Sequence, residues 1–344
     1  MTDMVERTGA KATGCAPSAP ASSLIEITDI AVALGLPLLA AVSWFLPQRA
    51  WRGFCRACVP FYGPGQAGQP STPAVQRQIR QVLGARTPAR PFAAVAGDLI
   101  EEDILSLVEL LHVYRPGGWR PAIELVGGEH LAAAQAAGRG TIVWLGHFVH
   151  ANLVAKMALH RAGFAVSHLS HRRHGFSGSR FGVRWLNRVQ TAAEDRYLGE
   201  RVLLDDERPA TTMRTLRRRL EENRVVSISV RGDGGNSRAI QFFDGEVSIA
   251  AGAPKLAALS GAALLPVFPV RNAAGGFTVF VEPALDVRGD GALRRYAALL
   301  EKYVLTYPAQ WLGWFHLSTT MTASRAAATA PGLRRAARPA GPAR

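Results

Sequence analysis

His147 and Asn152 are the side chains whose types and spacing point first to chemistry. They close the stretch His147-Phe148-Val149-His150-Ala151-Asn152, which follows an apolar run over 141–146 and precedes a helix-like segment over 153–161. A general base needs a pKa near the working pH and a partner that fixes its tautomer. At a strand-to-helix corner a residue five positions on returns across one turn and can supply that partner. Asparagine can accept a hydrogen bond from the imidazole N–H and hold the tautomer, but it cannot stabilise an imidazolium by charge. A packed or surface histidine is the plain alternative, and the two residues alone leave it open.

The elements that must position this pair read as alternating strands and helices. Strands are expected over 123–126, 141–145, 165–169, 225–230, 262–270 and 277–281. Helices are expected over 128–137, 153–161, 211–223 (with a threonine start), 254–260 (entered at proline) and 291–303. Upstream, Val75, Ile79, Val82 and Leu83, then Leu99, Ile104, Leu105, Val108 and Leu111, repeat at helical spacing until Pro116-Gly117-Gly118. Strands separated by helices predict an α/β fold with a largely parallel central sheet flanked by helices. The expected divisions are a small-residue leader over 1–22, an apolar helix with a basic flank over 23–60, and a linker over 61–73. The α/β domain follows over 74–321, then a basic Ala/Arg/Pro/Gly tail over 322–344.

At 344 residues, 48% hydrophobic, the chain can bury a large core, and its net charge of +14 predicts an anionic partner. The run from Ile30 to Leu46 carries no charge, is near the lower limit for crossing a bilayer and contains Pro37. It lacks the marks of a cleavable signal. Glu26 and Asp29 precede it and Arg49, Arg52 and Arg56 follow, so the positive-inside rule puts the rest of the chain in the cytoplasm. Membrane attachment is expected, by spanning or by lying on the surface. Charge alone makes no nucleic-acid-binding module, and no nucleic acid is expected.

Arg172, Arg173, Arg180 and Arg184 follow the strand over 165–169 and are candidates for phosphate binding. Arg231 stands beside Asp233, and Lys255 lies near a helix start where free N–H groups favour anions. Each has a solvated arginine or lysine face as its alternative. Six of nine histidines fall between His147 and His174, with His168, His171 and His174 evenly spaced. The spacing reads as loop among cationic neighbours, so no metal is expected. Cys55-x-x-Cys58 has no second pair for zinc, and Cys15 makes a poor lipoprotein signal. Gly63-Pro64-Gly65-Gln66-Ala67-Gly68 fits G-x-G-x-x-G but runs into Gln69, Pro70 and Pro73 rather than a helix. Gly175-Phe176-Ser177-Gly178-Ser179 misses a nucleophile elbow by one residue.

Four segments, in order, resemble the bacterial lipid A lauroyl/myristoyl acyltransferase family of the lysophospholipid acyltransferase superfamily. They are the stretch 124–131 beginning Glu124-Leu125-Val126-Gly127, the 140–148 stretch ending in Gly146-His147-Phe148, and a block of Phe242-Phe243-Asp244-Gly245, Gly252-Ala253-Pro254-Lys255-Leu256-Ala257 and Ser260-Gly261-Ala262 through Leu265-Pro266. The fourth is Tyr307-Pro308-Ala309-Gln310-Trp311 and the residues through His316. The match runs roughly from 95 to 317. It implies a glycerolipid acyltransferase-like fold in which His147 deprotonates an acceptor hydroxyl. The donor is implied to be an acyl carrier protein or coenzyme A thioester, a co-substrate, with no further cofactor. It also implies a lipid or glycolipid acceptor, contact with anionic membrane lipids, and a place on the cytoplasmic face of a bacterial inner membrane. The family pattern is H-x4-D or H-x4-E, and Asn152 departs from it. In serine proteases the analogous Asp-to-Asn change costs about 10⁴ in rate. Asp233 is a candidate for the missing acid. A catalytically impaired lipid-binding or scaffold protein of the same fold is therefore the second expectation.

Overall fold

The computed structural model describes residues 23–62, 72–84, 86, 90–205, 207–230, 236–315 and 321–322. The 1–22 leader, most of the 61–73 linker with its glycine pattern, Arg231, Asp233, His316 and nearly all of the 322–344 tail lie outside these.

Helix α1 (Ile27–Phe45) runs unbroken through Pro37, and α2 (Gln48–Cys58) follows. The helical pattern upstream of the glycines resolves into α3 (Thr72–Leu83) and α4 (Phe92–His112). Then come β1 (Ile123–Val126), α5 (Gly128–Ala136), β2 (Thr141–Leu145), α6 (Ala151–Arg161) and β3 (Val166–Ser170). A π-helical turn (Gly182–Leu186) leads into α7 (Asn187–Asp195), followed by β4 (Glu200–Leu203), α8 (Pro209–Glu221) and β5 (Val225–Ser229). The last elements are β6 (Ser237–Phe242), β7 (Gly245–Ala250), α9 (Gly252–Ser260), β8 (Ala263–Arg271), β9 (Phe277–Val281), α10 (Gly291–Thr306) and β10 (Met321–Thr322).

Seven strands form one sheet in the order β1-β9-β8-β2-β5-β3-β4. Every neighbouring pair is parallel except β8 with β9. This is the α/β architecture that the alternating pattern predicted. The central strands are buried on both faces, which explains their continuous apolar runs. Along β2, Ile142 and Trp144 enter the core beneath α8, α9 and α10, while Val143 and Leu145 enter the one beneath α4, α5 and α6.

Several details differ from expectation. Helix α8 begins at Pro209, not at Thr211, because proline suits the first helical position. Helix α9 begins at Gly252, so Pro254 lies inside its first turn. Helix α7 and strands β4, β6, β7 and β10 were not anticipated. Strand β4 is a short polar edge strand, and β6–β7 is a hairpin paired from Ser237↔Ala250 to Phe242↔Gly245. Its two turn residues are Phe243 and Asp244, with Phe243 at φ 51° where glycine is usual, so the Asp244-Gly245 pair stands one residue later than in a standard two-residue hairpin turn.

Helix α1 lies along the domain. Near its start, Ser179 Oγ donates to Asp29 (2.5 Å) and the Arg180 and Phe181 amides donate to the Ser23 and Leu24 carbonyls. Near its end, Trp44 Nε1 donates to the Leu111 carbonyl (3.3 Å), and Ser43 meets His112. Ile27, Ile30, Leu34 and Leu38 remain exposed on the outer side. Of the arginines behind it, Arg52 and Arg56 both pair with the buried Glu101, so part of that basic flank serves the fold. Burial pushes the Cys55 thiol up to about 12, which suits an inert packed cysteine.

Candidate functional site

Because β8, β2, β5 and β3 run parallel, their carboxyl ends meet at one edge, where ligands of open α/β sheets bind. Strand β2 ends there, with the Gly146 amide donating to the Val267 carbonyl (2.8 Å) and the Val230 amide to the Leu145 carbonyl (2.9 Å). A β-carbon at Gly146 would come within 2.6 Å of the Phe268 ring, so glycine is required to bring the chain this close to β8. His147 is the next residue.

The loop from His147 to His150 is pinned from the other side by the closing signature. The Val149 amide donates to the Gln310 carbonyl (2.8 Å), the Leu312 amide donates to the His147 carbonyl (2.9 Å), and Phe148 bridges Trp311. Gln310 also uses its side chain: Oε1 accepts from the Arg271 amide (2.7 Å) and Nε2 donates to the Arg271 carbonyl (2.9 Å). Tyr307-Pro308-Ala309-Gln310-Trp311 is thus the strap that holds the histidine loop to the end of β8. Sequence reasoning singled out these residues without a reason for them.

His147 and Asn152 are both half-buried and share the wall of a cavity of about 570 Å³. Asn152 is the second residue of α6, and its Oδ1 accepts from Ser229 Oγ (3.0 Å) at the end of β5. A carbonyl oxygen has two lone pairs, so this bond leaves Oδ1 capacity for an imidazole N–H. Part of the lining is apolar, with Leu110, Leu153, Ile228, Ile249 and Leu300. Arg173, His171 and His174 line another part.

Both Arg172 and Arg173 are exposed, and of the two Arg173 reaches the cavity wall. Lys255 is also outside it, exposed, with Nζ 3.2 Å from Asn236 Oδ1. Arg231 and Asp233 lie outside the described residues. His168 lies within the strand expected over 165–169, apart from the loop that carries His171 and His174. It is buried in β3 against Ser227 Oγ (3.2 Å), and burial holds its ring well below the ordinary histidine range, hence neutral.

Two buried charge clusters support this edge, and sequence reasoning missed both. On the cavity wall, Glu194 of α7 accepts from Lys156 Nζ (2.6 Å), Arg201 Nη2 (2.9 Å), His174 Nε2 (2.9 Å) and Gln190 Nε2 (3.1 Å). Burial opposes its ionisation, yet Lys156 and His174 outweigh it and hold the carboxyl well below the usual range. Burial also pulls the Lys156 ammonium down while Glu194 pulls it up. The 2.6 Å contact favours the charged pair. Beneath the histidine loop, Arg271 Nε donates to Glu102 (2.7 Å), and Nη1 and Nη2 donate to the two oxygens of Glu109 (2.8 and 2.7 Å). Arg52 donates to Glu101 and Glu102, extending the cluster to α2. A helical repeat shows which residues face inward. It does not show that an inward glutamate has an arginine 162 positions away.

Residues 108–318, more than half of the chain, match the model of a family described as bacterial lipid A biosynthesis acyltransferase. The phosphatidylinositol mannoside acyltransferase of Mycolicibacterium smegmatis is 26% identical over 298 residues, covering 83% of this chain and 90% of that protein. The phosphatidylinositol mannoside acyltransferase of Mycobacterium tuberculosis is 26% identical over 309 residues, covering 86% and 90%.

Proposed function

The chain belongs to the bacterial lipid A biosynthesis acyltransferase family, and from that premise we propose that it esterifies a hydroxyl of a membrane glycolipid, with His147 as general base. It is an acyltransferase acting on lipid-related acceptors. The donor in this reading is a fatty acyl thioester of an acyl carrier protein or coenzyme A, and no further cofactor is needed. His147 takes the acceptor hydroxyl proton as the oxygen attacks the thioester carbonyl carbon. The tetrahedral adduct then collapses, the C–S bond breaks, and the departing thiolate regains the proton from the imidazolium. A phosphoglycolipid acceptor, like that in the relatives' names, suits the cationic part of the cavity at Arg173.

The observation that carries this reading is the shared cavity. His147 and Asn152 line the same cavity as Arg173 and a set of apolar side chains suited to an acyl chain. The purified protein should transfer labelled acyl chains from one of the two thioester classes to a glycolipid hydroxyl. An ester-forming rate equal to a protein-free blank with both donors would count against it.

Asn152 motivates the impaired-scaffold alternative, and Asn152→Asp separates the two. The Ser229 bond survives this change because the carboxylate also accepts. For a site built around asparagine the variant should be at most about tenfold faster, far short of the factor in a protease triad. A gain approaching about 10⁴ would favour the impaired scaffold.

We place the protein on the cytoplasmic face of the bacterial inner membrane, with α1 in the interface rather than across it. Its 19 residues are long and apolar enough to span, reaching about 28 Å. Both ends, however, are bonded to the same domain, and a spanning helix would have them on opposite sides of the bilayer. The exposed Ile27, Ile30, Leu34 and Leu38 would enter the lipid, and exposed Trp185 and Arg184, on the π-helical turn that α1 contacts, would meet anionic headgroups. Alkaline carbonate should release the protein from membranes, and Leu34→Asp with Leu38→Asp should abolish sedimentation with anionic vesicles. Retention in carbonate would instead indicate a spanning helix.

A further inference from the structure

His150, three residues beyond the proposed base, is not accounted for by the reaction. It caps the start of α6 with a left-handed backbone, φ 55° and ψ 9°. Such a conformation is uncommon without glycine, although histidine is among the residues that tolerate it. Strained residues persist where the surroundings over-determine them, and they gather at functional sites.

The surroundings here do so. The His150 ring stacks on Trp119, with centroids 4.8 Å apart and planes 25° apart, and meets Phe277 edge-on. Its side chain is 5% exposed, and Nε2 lies 3.3 Å from Oε2 of Glu109, without the alignment of a full hydrogen bond. Glu109 is itself fixed by both terminal nitrogens of Arg271. Arg271 in turn is held through its backbone by Gln310, whose carbonyl takes the Val149 amide. A closed circuit therefore runs from Val149 through Gln310, Arg271 and Glu109 to His150, one residue further along the same loop.

We infer that His150 is a positioning residue, a ring clamp that locks the His147 loop between Trp119 and Glu109 and so aims the base. This rests on His147 being the base. Without the ring, the left-handed turn loses what holds it, and the loop relaxes away from the cavity wall. Misplacing a reacting group by about 1 Å costs roughly 10²-fold in rate.

His150→Gly tests this together with Trp119→Leu, because glycine adopts the left-handed backbone without strain and removes the ring but also frees the backbone, which Trp119→Leu does not. Amide exchange over 147–153, followed by mass spectrometry, should rise at least about tenfold. In the acyl-transfer assay kcat should fall roughly 10²-fold while KM for donor and acceptor stays within about twofold, the pattern of lost positioning. Wild-type exchange and kcat in His150→Gly would overturn the clamp, and so would a raised KM at unchanged kcat, which would put the ring against substrate. Trp119→Leu removes the stacking face and leaves the loop sequence intact. It should move exchange and kcat the same way, and it carries the test if His150→Gly does not fold. If the wild-type protein transfers no acyl group, exchange alone decides the clamp, and only the acyl-transfer reading fails.

Discussion

His147→Ala is expected to lower kcat for acyl transfer by about 10³- to 10⁴-fold, toward the upper range for loss of a general base. An acceptor hydroxyl is a weak nucleophile at neutral pH and needs its proton removed as the C–O bond forms. Replacement by alanine deletes the only proposed acceptor of that proton and leaves the backbone clamps at Val149 and Leu312 intact. The fold should therefore survive, and circular dichroism and the melting temperature should stay near wild type. Unaltered kcat in a well-folded variant would remove His147 from the reaction.

Arg271→Met should have the largest effect on stability. The Arg271 side chain is 4% exposed, and its guanidinium satisfies Glu109 on both oxygens and Glu102 on one. Glu102 keeps Arg52 after the change, but Glu109 keeps only the His150 ring nearby. Removing one partner of a buried pair costs about 3–5 kcal/mol, a large share of a typical domain's stability. Urea unfolding at neutral pH should register this as a lower midpoint at unchanged slope.

The same site fixes a pH dependence. Burial opposes ionisation of Glu109, but His150 and Arg271 outweigh it and hold its carboxyl below the usual range. A depressed folded pKa gives stability that is present above the unfolded value, near about 4.3, and is lost as pH falls through the folded value. In Arg271→Met one of the two counterweights is gone, which makes a protonated Glu109 cheaper to bury than it is in the wild type. The stability gap between variant and wild type should narrow on acidification, and a gap independent of pH would contradict the assignment.

Much of the site's scaffold was legible in the sequence. Thr141-Ile142-Val143-Trp144-Leu145 is apolar throughout because β2 is covered on both faces, and that run leads directly to His147. Ser237–Phe242 was not legible as a strand, since Arg238, Ala239 and Gln241 are exposed and its turn rests on Phe243. The polar partners were hidden for a different reason. Asn152 meets Ser229 and Glu109 meets Arg271 only because β5 and β8 flank β2, an order no local pattern encodes. The strap at Gln310 is of the same kind, with its bonds to Arg271 and Val149 set by where α10 delivers the chain.

The central claim is acyl transfer at the His147 cavity, and one measurement bears on it most directly. Wild-type protein and His147→Ala, each shown to be folded, are incubated with an isotope-labelled fatty acyl thioester and a glycolipid acceptor in anionic vesicles. Mass spectrometry of the extracted lipid then reads the oxygen ester formed. The account predicts one added acyl chain per acceptor with the wild type, and product at the blank level with the variant. Equal product from both proteins would contradict it.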